Sequence, residues 1–593
     1  MVHGRKFISV LTLTVLVLGP GAWAGTETGM KGALADIPAD VMGFVCVPSA
    51  KALDEKVNKL MQQLGLAQFM PTSLLTLVKE QTGVGDALDE AGSLALIVYE
   101  PASPSPDELH NAAVILLPTA NAAQLLESLK AGEETDGVRP LSFFGRDQFA
   151  FSKGGHVYIG ASKATLKKVA ASEKDITSRL DPASLGHLQT LDLAVWVDAQ
   201  KLVKLVKPFI DQLQEMAKAQ AQGSGAGSFT AIQLRSMTRS INMLTEGLES
   251  AQIGVSLTPK GLGVSFLMAT RAGTKMCELV EASPSTDKSL MVGLPADKFI
   301  VAGGQIMQAE ATKESITDLD ALFEAEELKQ HCDVQQLGTI RDSIREMLLA
   351  LRGASFSISA LPESPEGLVG LTVVSKVVDG QKWMDNLAKV VAACKKVTQK
   401  EEVAKALELV KHEAGAATVE GTKVDRLSFD LAAFTEMEEK EVEEMKKVLG
   451  SDGVSVRLAA ASPEHVVITF GGGEARMAEV LKLVKAGGSP LGEDAGIKKV
   501  SSSLPGKRYS EVYFAGDRLV ALLSSIGKVT GNELPIRMAE VNAPVALVSS
   551  SQGPCCQVDV FVPMEMVVAI KDTVMQLMGA MMGGAKQTQD DTL

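Results

Sequence analysis

The sequence predicts an α+β fold of two tandem homologous lobes, each a mostly antiparallel sheet with packed helices. Ile37-Pro38-Ala39-Asp40 recurs as Leu294-Pro295-Ala296-Asp297, and each copy opens a strand-then-helix pattern. His156-Val157-Tyr158-Ile159 recurs as His465-Val466-Val467-Ile468, and a helical pattern follows each copy. Self-similarity in a shared order indicates one structural unit used twice. Convergence of two similar strand-helix patterns is the alternative.

Hydrophobic periodicity places the elements of the first lobe. Alternating or continuous apolar runs predict strands, and apolar residues spaced by three or four predict helices. The first strand spans residues 41–47, and Ser49 begins a helix that continues through Leu64. The remaining predicted strands are 94–99, 112–117, 141–144, 148–151, 156–160, 192–197, 252–257 and 263–269. The remaining predicted helices are 73–81, 120–130, 165–171, 199–219 and one ending near 248, with a proline-rich loop at 101–106 and a flexible connector at 222–228.

The second lobe repeats this order. Its first hairpin spans residues 354–360 and 368–374, and its closing hairpin spans 544–549 and 557–562. A charged insertion at 436–447 predicts an exposed helix. We therefore expect a signal peptide at 1–24, a first lobe at 25–285, a second lobe at 286–585 and a disordered tail at 586–593.

The N-terminus has the pattern of a cleavable export signal. Arg5 and Lys6 precede an apolar run from Phe7 to Leu18, and Ala22 and Ala24 provide a small-x-small cleavage site. The run is shorter than the roughly 20 residues of a membrane span. No cysteine lies directly after this run, at the cleavage site, so lipoprotein acylation is not expected. The absence of Asn-x-Ser/Thr sequons is typical of a bacterial protein. We expect a periplasmic or secreted protein with no transmembrane helix in its mature chain.

Composition limits the classes of partner. The chain has 58 Lys+Arg and 72 Asp+Glu, and removal of the two basic signal residues leaves a formal charge of −16. Nucleic acids and anionic membrane surfaces require a basic footprint, so neither is expected as a partner. Aromatic residues are only 4% of the chain, which weakens any proposal of sugar binding by ring stacking.

Six cysteines would enter an oxidising compartment. An even count permits disulfides, although a chain this large does not require them. No two have the Cys-x-x-Cys spacing of redox or zinc sites, and neighbouring strand residues point to opposite faces, so the adjacent pair is expected to stay separate. The candidate disulfide cysteines are Cys46, Cys277, Cys332, Cys394, Cys555 and Cys556.

No recognisable catalytic, cofactor-binding or metal-binding motif is found in the sequence. Gly471-Gly472-Gly473 lies between a strand and a helix but lacks the later glycine and lysine of a phosphate loop, so an ordinary turn is favoured. His331-Cys332-Asp333 is favoured as a helix end, because consecutive helical residues diverge by about 100°. His156 and His465 occupy matching positions. They are interpreted as polar strand-entry residues, with a pH sensor between lobes as the alternative.

Methionine is concentrated near the C-terminus. One predicted helix carries Met564, Met566, Met575, Met578, Met581 and Met582. Core packing is the favoured interpretation, and contact with a lipid or partner is the alternative. Glu565, Lys571 and Asp572 exclude a membrane-spanning helix.

The opening Leu34-Ala35-Asp36-Ile37-Pro38-Ala39-Asp40-Val41 and the Gly83-Val84-Gly85 approach to the first hairpin resemble a family of large exported bacterial proteins of unknown function, of planctomycete type. The resemblance covers the lobe openings and hairpins. The resemblance implies an exported protein, and it supplies no catalytic residues that could be assigned to this sequence.

The functional expectation is an exported, non-catalytic interaction or structural protein with an unknown protein partner. Two alternatives remain open. One is a periplasmic carrier that holds an apolar or lipid-like ligand in or between its lobes. The other is an enzyme whose site is assembled from residues distant in sequence.

Overall fold

The computed structural model describes residues 27–69, 72–223, 229–363, 365–398, 400–429, 439–451, 453–532 and 536–587. Helices and antiparallel strands alternate along these segments, and the predicted α+β class is confirmed. The helices are α1 Glu27–Ala35, α2 Ala50–Gln63, α3 Leu74–Thr82, α4 Pro106–Ala112, α5 Ala122–Ser128, α6 Lys163–Ala171, α7 Pro182–Gln189, α8 Ala199–Gly223, α9 Phe229–Gly247, α10 Lys275–Glu281, α11 Ala309–Phe323, α12 Glu326–His331, α13 Val334–Ala350, α14 Gly380–Val397, α15 Glu401–Glu408, α16 Glu439–Leu449, α17 Gly473–Ala486, α18 Ala495–Ser501, α19 Gly516–Thr530 and α20 Met564–Gln587.

The strands alternate with these helices in both halves of the chain. They are β1 Gly43–Val47, β2 Leu94–Val98, β3 Ala113–Pro118, β4 Arg139–Phe143, β5 Arg146–Lys153, β6 His156–Gly160, β7 Leu193–Asp198, β8 Leu248–Thr258, β9 Gly261–Thr270, β10 Phe299–Ile306, β11 Leu351–Ala360, β12 Val369–Val377, β13 Val410–Val419, β14 Thr422–Phe429, β15 Val454–Ser462, β16 His465–Phe470, β17 Ser510–Phe514, β18 Val545–Gln552 and β19 Cys555–Pro563.

The chain forms two compact units. Unit 1 contains the described residues up to Ile210, together with Thr245–Met276 and Gln552–Met564. Unit 2 contains Asp211–Leu244, Cys277–Ser551 and the described residues from Glu565 onward. The strand β19 therefore belongs to unit 1, although almost all of unit 2 precedes it in the chain.

The strands within each unit pair in a common order. Antiparallel pairing in unit 1 follows β4-β5-β6-β3-β2-β1-β7-β8-β9-β19. Antiparallel pairing in unit 2 follows β13-β14-β15-β16-β12-β11-β10-β17-β18. The central path β6-β3-β2-β1-β7-β8 thus has its counterpart in β16-β12-β11-β10-β17-β18. This common path is what two tandem homologous lobes require.

Local sequence explains most element boundaries. Helix α2 begins after Ser49, whose hydroxyl accepts a hydrogen bond from the Ala52 N–H at 3.2 Å. Residues 101–105 form the predicted loop, but a helix that was not predicted from the sequence follows it before the next strand. Ser105 caps helix α4 and Pro106 occupies its first turn, because proline suits a helical position that has no N–H partner. Strand β3 therefore begins at Ala113.

The core of unit 1 is centred on a row of directly opposed strand residues. Phe44 faces Ile97 on one side and Trp196 on the other, and Ile97 faces Val114. All four side chains are buried, and the rings of Phe44 and Trp196 stack with centroids 5.6 Å apart. Burial of such side chains is the main stabilising contribution to a fold of this kind.

Candidate functional site

A cluster of buried and half-buried polar side chains lies where β19 pairs with β9. His187 of α7 lies 2.7 Å from the Ser265 hydroxyl through Nε2, and its Nδ1 lies 2.8 Å from the side-chain amide of Gln252. Ser265 donates to Asp559 Oδ1 at 2.6 Å, and Gln557 donates to both Asp559 oxygens at 2.9 and 3.0 Å. We call these five residues the His187 network.

Proton positions in the network follow from burial and from hydrogen-bond counting. Desolvation lowers the pKa of His187, although the Gln252 hydrogen bond and the Asp559 charge oppose this effect, so the neutral ring is favoured. Ser265 has one proton and donates it to Asp559, so the His187 Nε2–H donates to the Ser265 oxygen. Nδ1 is then an acceptor. A 180° rotation of the Gln252 amide brings its nitrogen, which otherwise has no partner among the described residues, to this atom.

This arrangement differs from a serine-hydrolase triad. In a triad, the carboxylate holds the histidine and the histidine accepts the serine proton. Here Asp559 accepts the proton of Ser265, and an amide rather than a carboxylate lies behind His187. The hydroxyl is therefore not activated for nucleophilic attack. The contacts instead join α7, β8, β9 and β19.

Further contacts anchor β19 along its length. The Cys555 thiol donates to Asp181 Oδ1 at 3.5 Å, and Asp181 also caps α7 by accepting from the N–H groups of Ala183 and Ser184. Burial by itself raises the pKa of Asp181, but the hydrogen bonds from Ser184, Cys555 and Ala183 outweigh it and lower that pKa. Phe561, almost fully buried, lies opposite Gly263. Both ends of β19 are therefore anchored to unit 1, as its middle is.

The His187 network was not predicted from the sequence. Helix α7 was missed, although Asp181 followed by Pro182 is a typical helix start. A second signal was the alternation of strand residues: Gln252, Ser265, Gln557 and Asp559 are polar residues on the side of their strands that faces the core. Polar residues at core positions of predicted strands indicate a buried network.

The aspartate of the repeated Pro-Ala-Asp opening pairs with a basic residue on the equivalent helix in each unit. In unit 1, Asp40 forms an ion pair with Lys168 of α6 at 3.0 Å. In unit 2, Asp297 forms an ion pair with Arg476 of α17 at 2.6 Å. Helices α6 and α17 both follow the equivalent strands β6 and β16. The motif aspartate therefore joins the opening of each unit to the same helix.

One face of the unit 1 sheet carries a row of apolar side chains that solvent reaches. Ile253 and Phe266 are directly opposed on β8 and β9 and are 44% and 40% exposed. The full cross-strand row is Ile115, Leu96, Val45, Val195, Ile253, Phe266 and Val558. We call it the apolar row of unit 1. In unit 2, the corresponding face exposes Ile358, Phe514 and Leu547 by 37–40%.

The matching histidines begin equivalent strands but have different surroundings. His156 is buried, with Nε2 3.2 Å from the Ser93 carbonyl oxygen and Nδ1 3.4 Å from Asp36 Oδ2. His465 is half-buried, 3.0 Å from the Ser462 hydroxyl, and its pKa is lowered by desolvation and then by Lys376. A shared role for the pair stays a prediction.

No disulfide joins the six cysteines, all of which lie in the described segments. Burial raises the pKa of Cys46 and of Cys555 to about 12, so neither is a thiolate at neutral pH. Cys555 and Cys556 face opposite Ala269 and Met268 of β9, on the two sides of the sheet, as the sequence predicts. Cys277 is buried, and Cys332 and Cys394 are half-buried.

Two other sequence candidates have structural roles. Asp333 caps α13 by accepting from the Gln336 N–H at 2.8 Å, while His331 ends α12. Gly471, Gly472 and Gly473 all have φ between 60° and 68°, a run of left-handed conformations that only glycine adopts readily. Gly471 and Gly472 form the strand-to-helix turn, and Gly473 is the first residue of α17.

The methionine-rich helix α20 is buried only at its start. Met564 and Met566 are buried, whereas Met575 and Met578 are 51% and 52% exposed. Core packing is therefore correct for the first turn and wrong for the middle of the helix. Ala22, Ala24 and residues 588–593 of the predicted tail lie outside the described residues.

Two kinds of feature are absent from the described residues. No described helix has the length and apolar composition needed to cross a membrane. Within the same segments, His, Cys, Asp and Glu side chains form no group of three that could hold a metal ion.

No family model matches the chain, and no curated protein matches it. Among solved structures, it is similar at 8% identity to crystal forms I, III and IV of TP0453. Form I gives a TM-score of 0.20 and covers 40% of this chain and 78% of TP0453. Form III gives 0.21 with 48% and 100% covered, and form IV gives 0.20 with 48% and 96% covered. Scores at this level do not establish a common fold, and no family is assigned to the chain.

Proposed function

We propose that this chain is an exported, non-catalytic interaction protein that binds a protein partner through the apolar row of unit 1. The observation that carries the proposal is the exposure of Ile253 and Phe266, the two members of that row on β8 and β9. Clustered apolar side chains on a surface mark interaction sites, because leaving them in water costs about 25 cal/mol per Å². Export rests on the signal pattern that ends at Ala24.

The non-catalytic part of the proposal is supported by the His187 network. Ser265 is 8% exposed and its proton is held by Asp559, so neither access nor activation favours attack on a substrate. We expect no labelling of the folded protein by a fluorophosphonate probe. Labelling that is lost in Ser265→Ala would contradict this part of the proposal.

The interaction is tested by placing a charge on the row. We expect Phe266→Glu and Ile253→Glu to abolish co-purification of a partner that the wild-type protein retains from its own compartment. Val78→Glu is the matched control, because Val78 lies on α3 of the same unit with a similar exposure of 37%. Equal recovery of the partner with all three variants would exclude the row as the binding surface.

A second candidate is a carrier of an apolar or lipid-like ligand, favoured by one observation. The seven side chains of the apolar row contain no hydrogen-bonding group, so a hydrocarbon occupant would lose no polar contact there. Native mass spectrometry of protein purified from its own compartment separates the candidates. A lipid-sized adduct that Phe266→Glu removes supports the carrier, whereas a bare mass supports the protein partner.

A further inference from the structure

The centre of unit 2 differs in chemistry from the equivalent centre of unit 1. In unit 1 the central row contains the large apolar residues Trp196, Phe44, Ile97 and Val114. In unit 2 the corresponding row contains Tyr513, Ala302, Ser357 and Thr372, and Thr372 also faces Thr469. All these unit 2 residues are at most 1% exposed. The second lobe therefore has small and hydroxylated side chains where the first has an apolar core.

The helix above this row differs in the same way. In unit 1, Leu166 of α6 is fully buried and packs over Gly160, so that a Cβ at Gly160 would lie 3.4 Å from a Leu166 methyl carbon. In unit 2, Arg476 of α17 takes the comparable place and is only 4% exposed. Its Nε donates to the Thr372 hydroxyl at 2.9 Å, and its Nη1 contacts Asp297 at 2.6 Å.

Several polar atoms around Arg476 have no partner among the described residues. They are Nη2 of Arg476 and the hydroxyl oxygens of Ser357, Ser359 and Thr469. A buried polar atom left without a hydrogen bond costs about 1–3 kcal/mol, so native proteins rarely keep four of them together. Their grouping at one place indicates a functional requirement rather than a packing defect.

The strand register shows that these groups converge. Ser357 and Thr469 lie directly opposite Thr372 on its two sides, and opposed Cβ atoms are about 4.5–5.5 Å apart. Ser359 lies opposite Gly370. A Cβ at Gly370 would be 3.1 Å from Nη1 of Arg476, so the guanidinium lies directly over that glycine. Any side chain larger than glycine there would displace it.

The charges around Arg476 indicate which class of ligand the unpartnered polar atoms would bind. Asp297 already neutralises Arg476, and the Glu366 carboxylate lies at the N-terminus of α17, within 2.5 Å of where a Cβ of Gly473 would be. A further anion would therefore meet no uncompensated positive charge. The remaining Nη2 donor needs an acceptor, and the hydroxyls can donate or accept. An uncharged oxygen group satisfies both.

We propose that the centre of unit 2 is a binding site for a small uncharged ligand whose carbonyl or hydroxyl oxygen accepts from Arg476. Ser357, Ser359 and Thr469 complete its hydrogen bonds. Asp297, at 26% side-chain exposure, marks the side from which the ligand enters. The site is independent of the apolar row of unit 1, so either proposal can fail without the other.

The test is saturation-transfer NMR on the full chain, with acetamide as the carbonyl probe and glycerol as the hydroxyl probe. We expect one probe to bind and its Kd to rise at least about tenfold in Ser357→Ala and Thr469→Val, which remove a hydroxyl with little change in volume. Arg476→Leu, which copies Leu166 of unit 1, should also lose binding. Arg345→Leu is the control, because Arg345 is an exposed arginine of the same unit.

The two probes distinguish a carbonyl ligand from a hydroxyl ligand. Binding of acetamide with no response to glycerol assigns a carbonyl ligand, and the reverse assigns a hydroxyl ligand. No binding of either probe to the wild-type protein, or equal binding by Ser357→Ala and Thr469→Val, would overturn the proposal. A crystal structure with only water at Arg476 in the presence of both probes would overturn it as well.

Discussion

Replacing Asp559 by alanine should lower the stability of strands β9 and β19 in unit 1. The carboxylate accepts from Ser265 at 2.6 Å and from Gln557 at 2.9 and 3.0 Å. Alanine leaves the buried Ser265 hydroxyl and the Gln557 amide without this acceptor. A hydrogen bond to a charged group contributes about 1.5–3 kcal/mol, and Ser265 keeps its contact with His187, so we expect a loss of about 2–3 kcal/mol.

The assay for this prediction is amide hydrogen exchange on β9 and β19. A loss of about 2–3 kcal/mol corresponds to exchange faster by about 30- to 150-fold at these strands, since about 1.4 kcal/mol is tenfold. Asp572→Ala is the control, because Asp572 is 52% exposed and pairs only at the surface with Lys571. Exchange in Asp559→Ala within about threefold of wild type would refute the role assigned to the network.

Three other predictions follow from single contacts. The pKa of His187 is lowered in the folded state, so its contribution to stability is complete above the unfolded pKa of about 6.5 and is lost as the pH falls towards the folded value. In His187→Gln, the free energy of unfolding measured with urea should therefore vary less with pH across that interval. Gly471→Ala should lower the Tm more than the control Gly487→Ala. Both glycines have a left-handed φ, but only at Gly471 would the new Cβ lie 2.1 Å from a backbone oxygen. Equal shifts in Tm would contradict this prediction. A maleimide should label half-buried Cys556 well before buried Cys555, whose pKa is about 12, and peptide mass spectrometry would reveal the opposite order.

Local rules account for much of the fold. Ser49, Ser73 and Ser162 each precede a helix and cap it, and these starts could be read from the sequence because capping needs only neighbouring residues. Strand positions followed from apolar runs, and the repeated order of elements predicted two similar lobes. The order in which the strands pair was not predicted, because it depends on residues distant in sequence. Helix α7 was missed because its apolar spacing is weak, even though Asp181 and Pro182 mark its start.

The candidate sites were much less accessible to sequence reasoning. The His187 network joins residues up to 372 positions apart, and the Arg476 cluster depends on which strands are neighbours. The sequence did single out Asp40 and Asp297 through their shared motif. It did not indicate their partners Lys168 and Arg476. A basic residue on a predicted helix has the same sequence pattern whether it faces solvent or pairs with a distant carboxylate.

The sequence by itself determined the class of the fold, the duplicated order of its elements and the alternation that divides each strand into a core side and an outer side. Tertiary structure alone decided that β19 completes the sheet of unit 1, that Ser265 gives its proton to Asp559, and that Arg476 lies over a row of hydroxyls. The physical reason is that capping and alternation depend on residues a few positions apart. Backbone hydrogen bonding between strands is nearly the same for any pair, so the choice of partner rests on packing across the whole unit.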